Sequence, residues 1–163
     1  MLRPRTKYAM MYVIAITAGE GGNAVSQGRY MPSANKGTPG MAHRLLKIAT
    51  VYFVLAVCLG AYMGASQDHT FLSVHAHLNL LGWVSLAIIG CIYLLKPKLA
   101  TTRLAQLHFW LHNIGAPVLL VAVAFIHSGS VEIAGPIAGI SSIVTVIGIM
   151  CFAVNLWRGI DRA

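Results

Sequence analysis

Acidic residues are scarce in this chain: only four Asp and Glu stand among 163 residues, and charged residues of both signs make up 10%. So little charge cannot solvate a sequence that is 57% hydrophobic with a mean hydropathy of +0.71. The shortage excludes a disordered chain, which combines low hydrophobicity with high charge. It also argues against a soluble nucleic-acid binder, although the net charge of +8 would suggest one in a soluble protein. Cysteine is sparse too. Cys58, Cys91 and Cys151 fall in separate apolar runs without a close-spaced pair, so a disulfide scaffold is excluded and the three read as buried small hydrophobes. No glycine-rich phosphate loop, no H-E-x-x-H helix and no pair of intramembrane carboxylates is present. Ser66, Asp68 and His69 contain the residue types of a hydrolytic triad, but neighbours this close in sequence need an unusual turn to align.

What the chain has instead is long apolar runs. Four are free of Lys, Arg, Asp and Glu: 48–65, 71–95, 107–126 and 133–157. Crossing a hydrocarbon core of about 30 Å takes about 20 apolar residues in a helix, and the runs are too long and too continuously apolar for barrel strands. The connections 66–70, 96–106 and 127–132 are short, which makes consecutive helices antiparallel neighbours. The predicted fold is all-α, an up-down bundle of four transmembrane helices in contact with the lipid bilayer. Pro97 closes the second run, whereas Pro117 and Pro136 lie inside the third and fourth and are expected to kink them. Gly135, Ala138, Gly139, Ser141, Ser142 and Gly148 favour close helix packing within the bundle or between copies of the chain. Trp83, Trp110, Trp157, Tyr52, Tyr62 and Tyr93 read as packing residues or interfacial anchors.

In this up-down arrangement all twelve Lys and Arg fall on one side of the membrane, and the other side carries only Asp68 and Glu132. The positive-inside rule then puts both termini in the cytoplasm, and the expected location is the bacterial inner membrane. Nucleic acid is not an expected partner. Residues 1–40 differ from the rest: the apolar stretch 8–18 is too short to span, and Gly, Ser, Asn and Pro dominate 19–40. They read as a disordered extension upstream of a true start at Met41, which leads straight into the first span. A signal-like segment without a clear cleavage site is the other reading. The transmembrane domain is thus 41–163.

Histidines carry the chemistry. Ionisable side chains within a membrane are costly, so their presence there marks function by default. With Phe71 entering from the outer side, His75 lies about 6 Å deep and His77 about 9 Å deep. His69, Asp68 and His127 lie at the outer rim, and Met63 closes the first span at a similar level. Imidazole and thioether suit copper and haem iron, so this group is the candidate metal site. His75 and His77 diverge by about 200° around a helix and cannot easily hold one ion together. His43 reads as a solvated residue near the first span. His108 and His112, at i and i+4, share a face; they read either as helix linkers or as a second site, more than about 13 Å deeper than His77.

The run Val74-His75-Ala76-His77-Leu78-Asn79-Leu80-Leu81-Gly82-Trp83, followed by Gly90, Tyr93 and Pro97 and then by Leu107-His108-Phe109-Trp110, resembles subunit I of haem-copper oxidases. The similarity is strongest to the branch near nitric-oxide reductases and covers residues 71–127. In that family one helix carries a copper-ligating His in its outer third and runs through Gly and aromatic positions to a Pro. His77, Gly90, Tyr93 and Pro97 match in order and spacing. The chain departs from the family in having far fewer spans and no adjacent His-His pair. The resemblance therefore implies a small stand-alone relative binding b-type haem or copper, cytochrome c oxidase-like at most, without a complete catalytic centre. His77, His75 and His127 are the expected cofactor ligands, and His69, Met63 and Asp68 the further metal-ligand candidates. Electron transfer, gas sensing or oxidase assembly are the expected roles, with a homo-oligomer, a redox partner or oxidase subunits as partners. A copper-handling transporter and a structural subunit with helix-bonding histidines are the alternatives.

Overall fold

In hydrocarbon every backbone N–H and C=O must be satisfied within the segment, and apolar runs of this length do so as helices. The computed structural model describes residues 40–159. It contains α1 (Met41–Ser66), α2 (Leu72–Leu95), the single-turn α3 (Pro97–Ala100), α4 (Arg103–His127) and α5 (Val131–Gly159). No strand occurs among the described residues. α1, α2, α4 and α5 are each long and apolar enough to cross a membrane, and they alternate in direction: the chain is an all-α, multi-pass membrane protein. The expectations for residues 1–39 lie outside the described residues.

The helices outrun the charge-free stretches of the sequence. Arg44 and Lys47 sit in the first turns of α1, Arg103 and Gln106 open α4, and Arg158 closes α5. Long cationic side chains at a helix end keep their heads in water while their stems lie along the apolar surface, so a charge there does not end a helix. Thr102 sets the start of α4: its hydroxyl oxygen accepts the Ala105 N–H at 3.1 Å, and the 96–106 connection is shortened further by α3, with Pro97 in its first turn. At the opposite end, Gln67 (φ 58°) and Gly129 (φ 97°) turn the chain in left-handed conformations. α4 and α5 continue through Pro117 and Pro136.

Outward faces are apolar: Leu95 is 79% exposed, Ile133 76% and Trp157 87%, as suits lipid contact. Cys58 and Cys91 are on these exposed faces, contrary to their expected burial, because small apolar side chains gain as much from lipid as from a core. Inward packing relies on small residues. A Cβ on Gly82 would overlap the Tyr52 ring of α1, and one on Gly115 would strike Thr145 of α5. Gly148 lets α5 approach the backbone of Leu111 and His112. Of the small residues on the fourth span, Ser141 and Gly148 are buried in the bundle, whereas a Cβ on Gly135 or Gly139 would meet nothing within 4 Å.

Two features join the helices at the end where Lys96, Arg103 and Arg158 lie. Asn155, on α5, donates to the Leu99 carbonyl at 3.0 Å and to the Tyr93 hydroxyl at 3.4 Å, and accepts from the Thr102 hydroxyl at 2.8 Å. Around it Leu45, Leu86, Tyr93, Leu99 and Ala105 form the buried core, with Phe152 and Leu156 packed against them. The middle of α2 departs from α geometry: Leu78–Ser85 is wound as a π-helix. The Ser85 hydroxyl donates to the Leu80 carbonyl, five residues back, at 2.6 Å. Insertions of this kind recur at functional sites.

Candidate functional site

The six outer-site residues do not converge. Asp68 and His69 lie in the exposed α1–α2 connection, where both Asp68 bonds are local: Oδ1 accepts the Thr70 N–H at 2.9 Å and the Thr70 hydroxyl at 2.6 Å. These bonds hold its carboxyl below the usual carboxylate range. The His69 Nδ1 donates to the Gln67 carbonyl at 3.1 Å. The Ser66 hydroxyl donates to Tyr62 O and accepts from the Asp68 N–H, so Ser66, Asp68 and His69 are not aligned as a triad. His127 ends α4 and is exposed, whereas Met63 is 4% exposed. Among the described residues no three His, Cys, Asp or Glu side chains gather closely enough to hold one metal ion.

His75 and His77 do diverge, as their spacing requires. The His75 Nδ1–H donates to the Ala56 carbonyl of α1 at 3.0 Å, and its Nε2 accepts from the Asn79 amide at 3.2 Å. Gly60 makes room for the ring: a Cβ there would lie 2.9 Å from His75 Cε1. Both nitrogens of His75 are thus taken up, Nδ1 in joining α2 to α1 and Nε2 by a neighbour one turn on in its own helix. His77 is half-buried and donates from Nδ1 to the Ser73 carbonyl at 2.7 Å, which leaves the Nε2 lone pair of the neutral ring without a protein partner. A ligating imidazole is commonly held in this way, one nitrogen fixed by a carbonyl and the other presented outward.

The inner pair differs from its sequence reading. His112 lies opposite the π-helix, where its Nε2–H donates to the Leu81 carbonyl at 3.0 Å. Leu81 is one turn beyond His77, about 6 Å along the axis. α4 starts at Arg103, so His112 lies in the interior of the span and not at its end. His108 and His112 are both 0% exposed, with ring centroids 5.4 Å apart and planes at 62°. The helix-linker reading accounts for one of their four ring nitrogens. Both nitrogens of His108, and Nδ1 of His112, are buried without a hydrogen-bond partner. The Phe152 ring is centred 5.5 Å from the His108 ring and 6.0 Å from the Tyr93 ring.

Asn79, Ser73 and the Leu81 carbonyl were not singled out by sequence reasoning. Asn79 had a signal, a polar amide four residues after His75 in an apolar run; a backbone carbonyl has none. Comparison with protein-family models, with curated proteins and with solved structures yields no match.

Proposed function

We propose that this chain binds b-type haem or copper within the membrane, through His77, in the service of electron transfer, gas sensing or oxidase assembly. The observation that carries the reading is the His77 ring: its Nδ1 is fixed by Ser73 at 2.7 Å, and its Nε2 lone pair is unclaimed inside an apolar helix. The resemblance of residues 71–97 to the metal-binding helix of haem-copper oxidase subunit I supports it, as does the π-helix that begins one residue later. One such ligand per chain calls for a second from elsewhere. His127, His69 and Met63 are the candidates in the chain itself, and a second copy or an oxidase subunit is the candidate outside it. The described cations lie at one end of the helices and Asp68 and Glu132 at the other, which supports cytoplasmic termini in a bacterial inner membrane.

The test is an absorption spectrum and metal analysis of the purified protein. A Soret band or bound copper is expected; His77→Ala should weaken haem binding more than His112→Ala does, and should remove the copper that His77 holds. Neither haem nor copper in the wild type overturns the reading. Copper without haem, together with copper uptake by reconstituted vesicles, would favour a copper-handling protein. A second reading rests on His75, whose two nitrogens both serve helix contacts. If all the outer histidines are structural, replacing His75 and His77 by Asn leaves function intact and costs about 1 kcal/mol per lost hydrogen bond.

A further inference from the structure

The buried pair on α4 has no part in the outer site, and its chemistry leads elsewhere. Buried polar atoms without partners are rare, and each calls for an explanation. Here three are concentrated in two adjacent rings. The proton of His112 is fixed on Nε2 by the Leu81 carbonyl, so in the neutral ring Nδ1 carries a lone pair. His108 has no bond to fix its tautomer and can present a lone pair from either nitrogen. Two imidazole bases thus stand side by side in the bundle, 5.4 Å between ring centres, with no other hydrogen-bond claim on them.

The kind of ligand follows from what surrounds the pair. Haem is unsuitable: the two rings are fully buried with centres 5.4 Å apart and Phe152 beside them, which leaves no room for a porphyrin between them. Structural zinc takes four ligands, and no third His, Cys, Asp or Glu joins the two rings among the described residues. The burial of charge decides between the remaining ions. Ion solvation scales with the square of the charge, so a monovalent ion costs about a quarter as much to bury as a divalent one of equal size. Cuprous ion is monovalent, accepts imidazole as well as its softer sulfur ligands and is stable with as few as two of them. The Phe152 ring, centred 5.5 Å from that of His108, adds an aromatic system beside the pair. We propose that His108 and His112 form a buried two-coordinate site for Cu(I). It involves neither His75 nor His77 and stands apart from the reading of the outer site.

The experiment uses the full chain, purified in detergent micelles without oxygen. It is titrated with Cu(I) as its acetonitrile complex, in competition with a chromogenic Cu(I) chelator. The wild type should hold one equivalent at the inner pair, with two nitrogen neighbours in its X-ray absorption spectrum, and should retain no Zn(II) there. His108→Leu, which leaves the His112–Leu81 bond in place, should lower the affinity at least about tenfold. His112→Gln, whose amide can still donate to Leu81, should do the same; helical circular dichroism and a single elution peak establish that both variants are folded. His77→Ala should keep the equivalent. Copper held equally by folded His108→Leu overturns the proposal, and so does a wild type that holds none, with only a water bridging the rings. A wild type that binds Cu(I) at the pair but shows no metal or haem sensitive to His77→Ala overturns the outer reading alone.

Discussion

The outer and inner histidines share a residue type and differ in how their hydrogen bonds are met. His69, His75 and His77 each donate to a backbone carbonyl, at 2.7–3.1 Å, and lie at or near the surface. His108 and His112 are fully buried, yet a single bond serves both rings. His69, exposed at the rim, has water as an alternative partner, so its bond is weak evidence of purpose. An interior histidine has none, and an unmet nitrogen there costs about 1–3 kcal/mol unless a ligand or water meets it.

The largest expected effect breaks the frame that holds the inner pair. Gly82→Val should force the Tyr52 ring of α1 away from the π-helix, at a cost of 1–3 kcal/mol or more, roughly the usual scale of overpacking. Loss of reversible folding in mixed micelles is the measure, and a variant as stable as the wild type would mean that α1 and α2 can part freely. Asn155→Ala comes next. It removes hydrogen bonds to Tyr93, Leu99 and Thr102, though the Leu99 carbonyl keeps the Thr102 hydroxyl at 3.1 Å, for about 1–3 kcal/mol in the same assay.

The two inner histidines should then separate from each other. Without bound metal, His112→Leu loses the bond to Leu81 and should cost about 0.6–1.7 kcal/mol, the range of such bonds between membrane helices. His108→Leu removes two unmet nitrogens and should be neutral or stabilising. Equal losses for the two would show that His108 has a partner, such as a buried water. The smallest effect concerns pH at the rim. Because Thr70 lowers the Asp68 pKa in the folded chain, the contribution of these bonds is present above the ordinary carboxylate value of about 3.9. It fades as pH falls through the lowered folded value. The protection factor of the Thr70 amide should fall in that window, and Thr70→Val, which keeps the backbone bond but loses that of the hydroxyl, should shrink the fall.

Much of the architecture was legible because it depends on composition alone. An apolar run of span length has few alternatives to a helix, and short connections make neighbours antiparallel; Ser141 and Gly148 could likewise be picked out as packing residues. The helix ends were less legible. Lys47 was read as the limit of the first span and 96–106 as a connection, although a cation can snorkel from within the end turns of a helix. The outer cluster was inferred from depth, but depth says nothing of direction around the axis. His75 turns to Ala56 on α1, His77 turns back along its own helix to Ser73, and Asp68 is taken up by Thr70.

By itself, the sequence determined the solvent this protein lives in, the number and alternation of its helices, and that seven histidines would stand out among so few charges. These follow from local properties summed along the chain. Only the tertiary structure decided which histidine nitrogens find partners. That depends on a π-helix that offers the Leu81 carbonyl to His112 and on glycines that allow α5 to close on the pair. Each is a matter of register between helices, and register is set by packing across the bundle, where no local pattern records it.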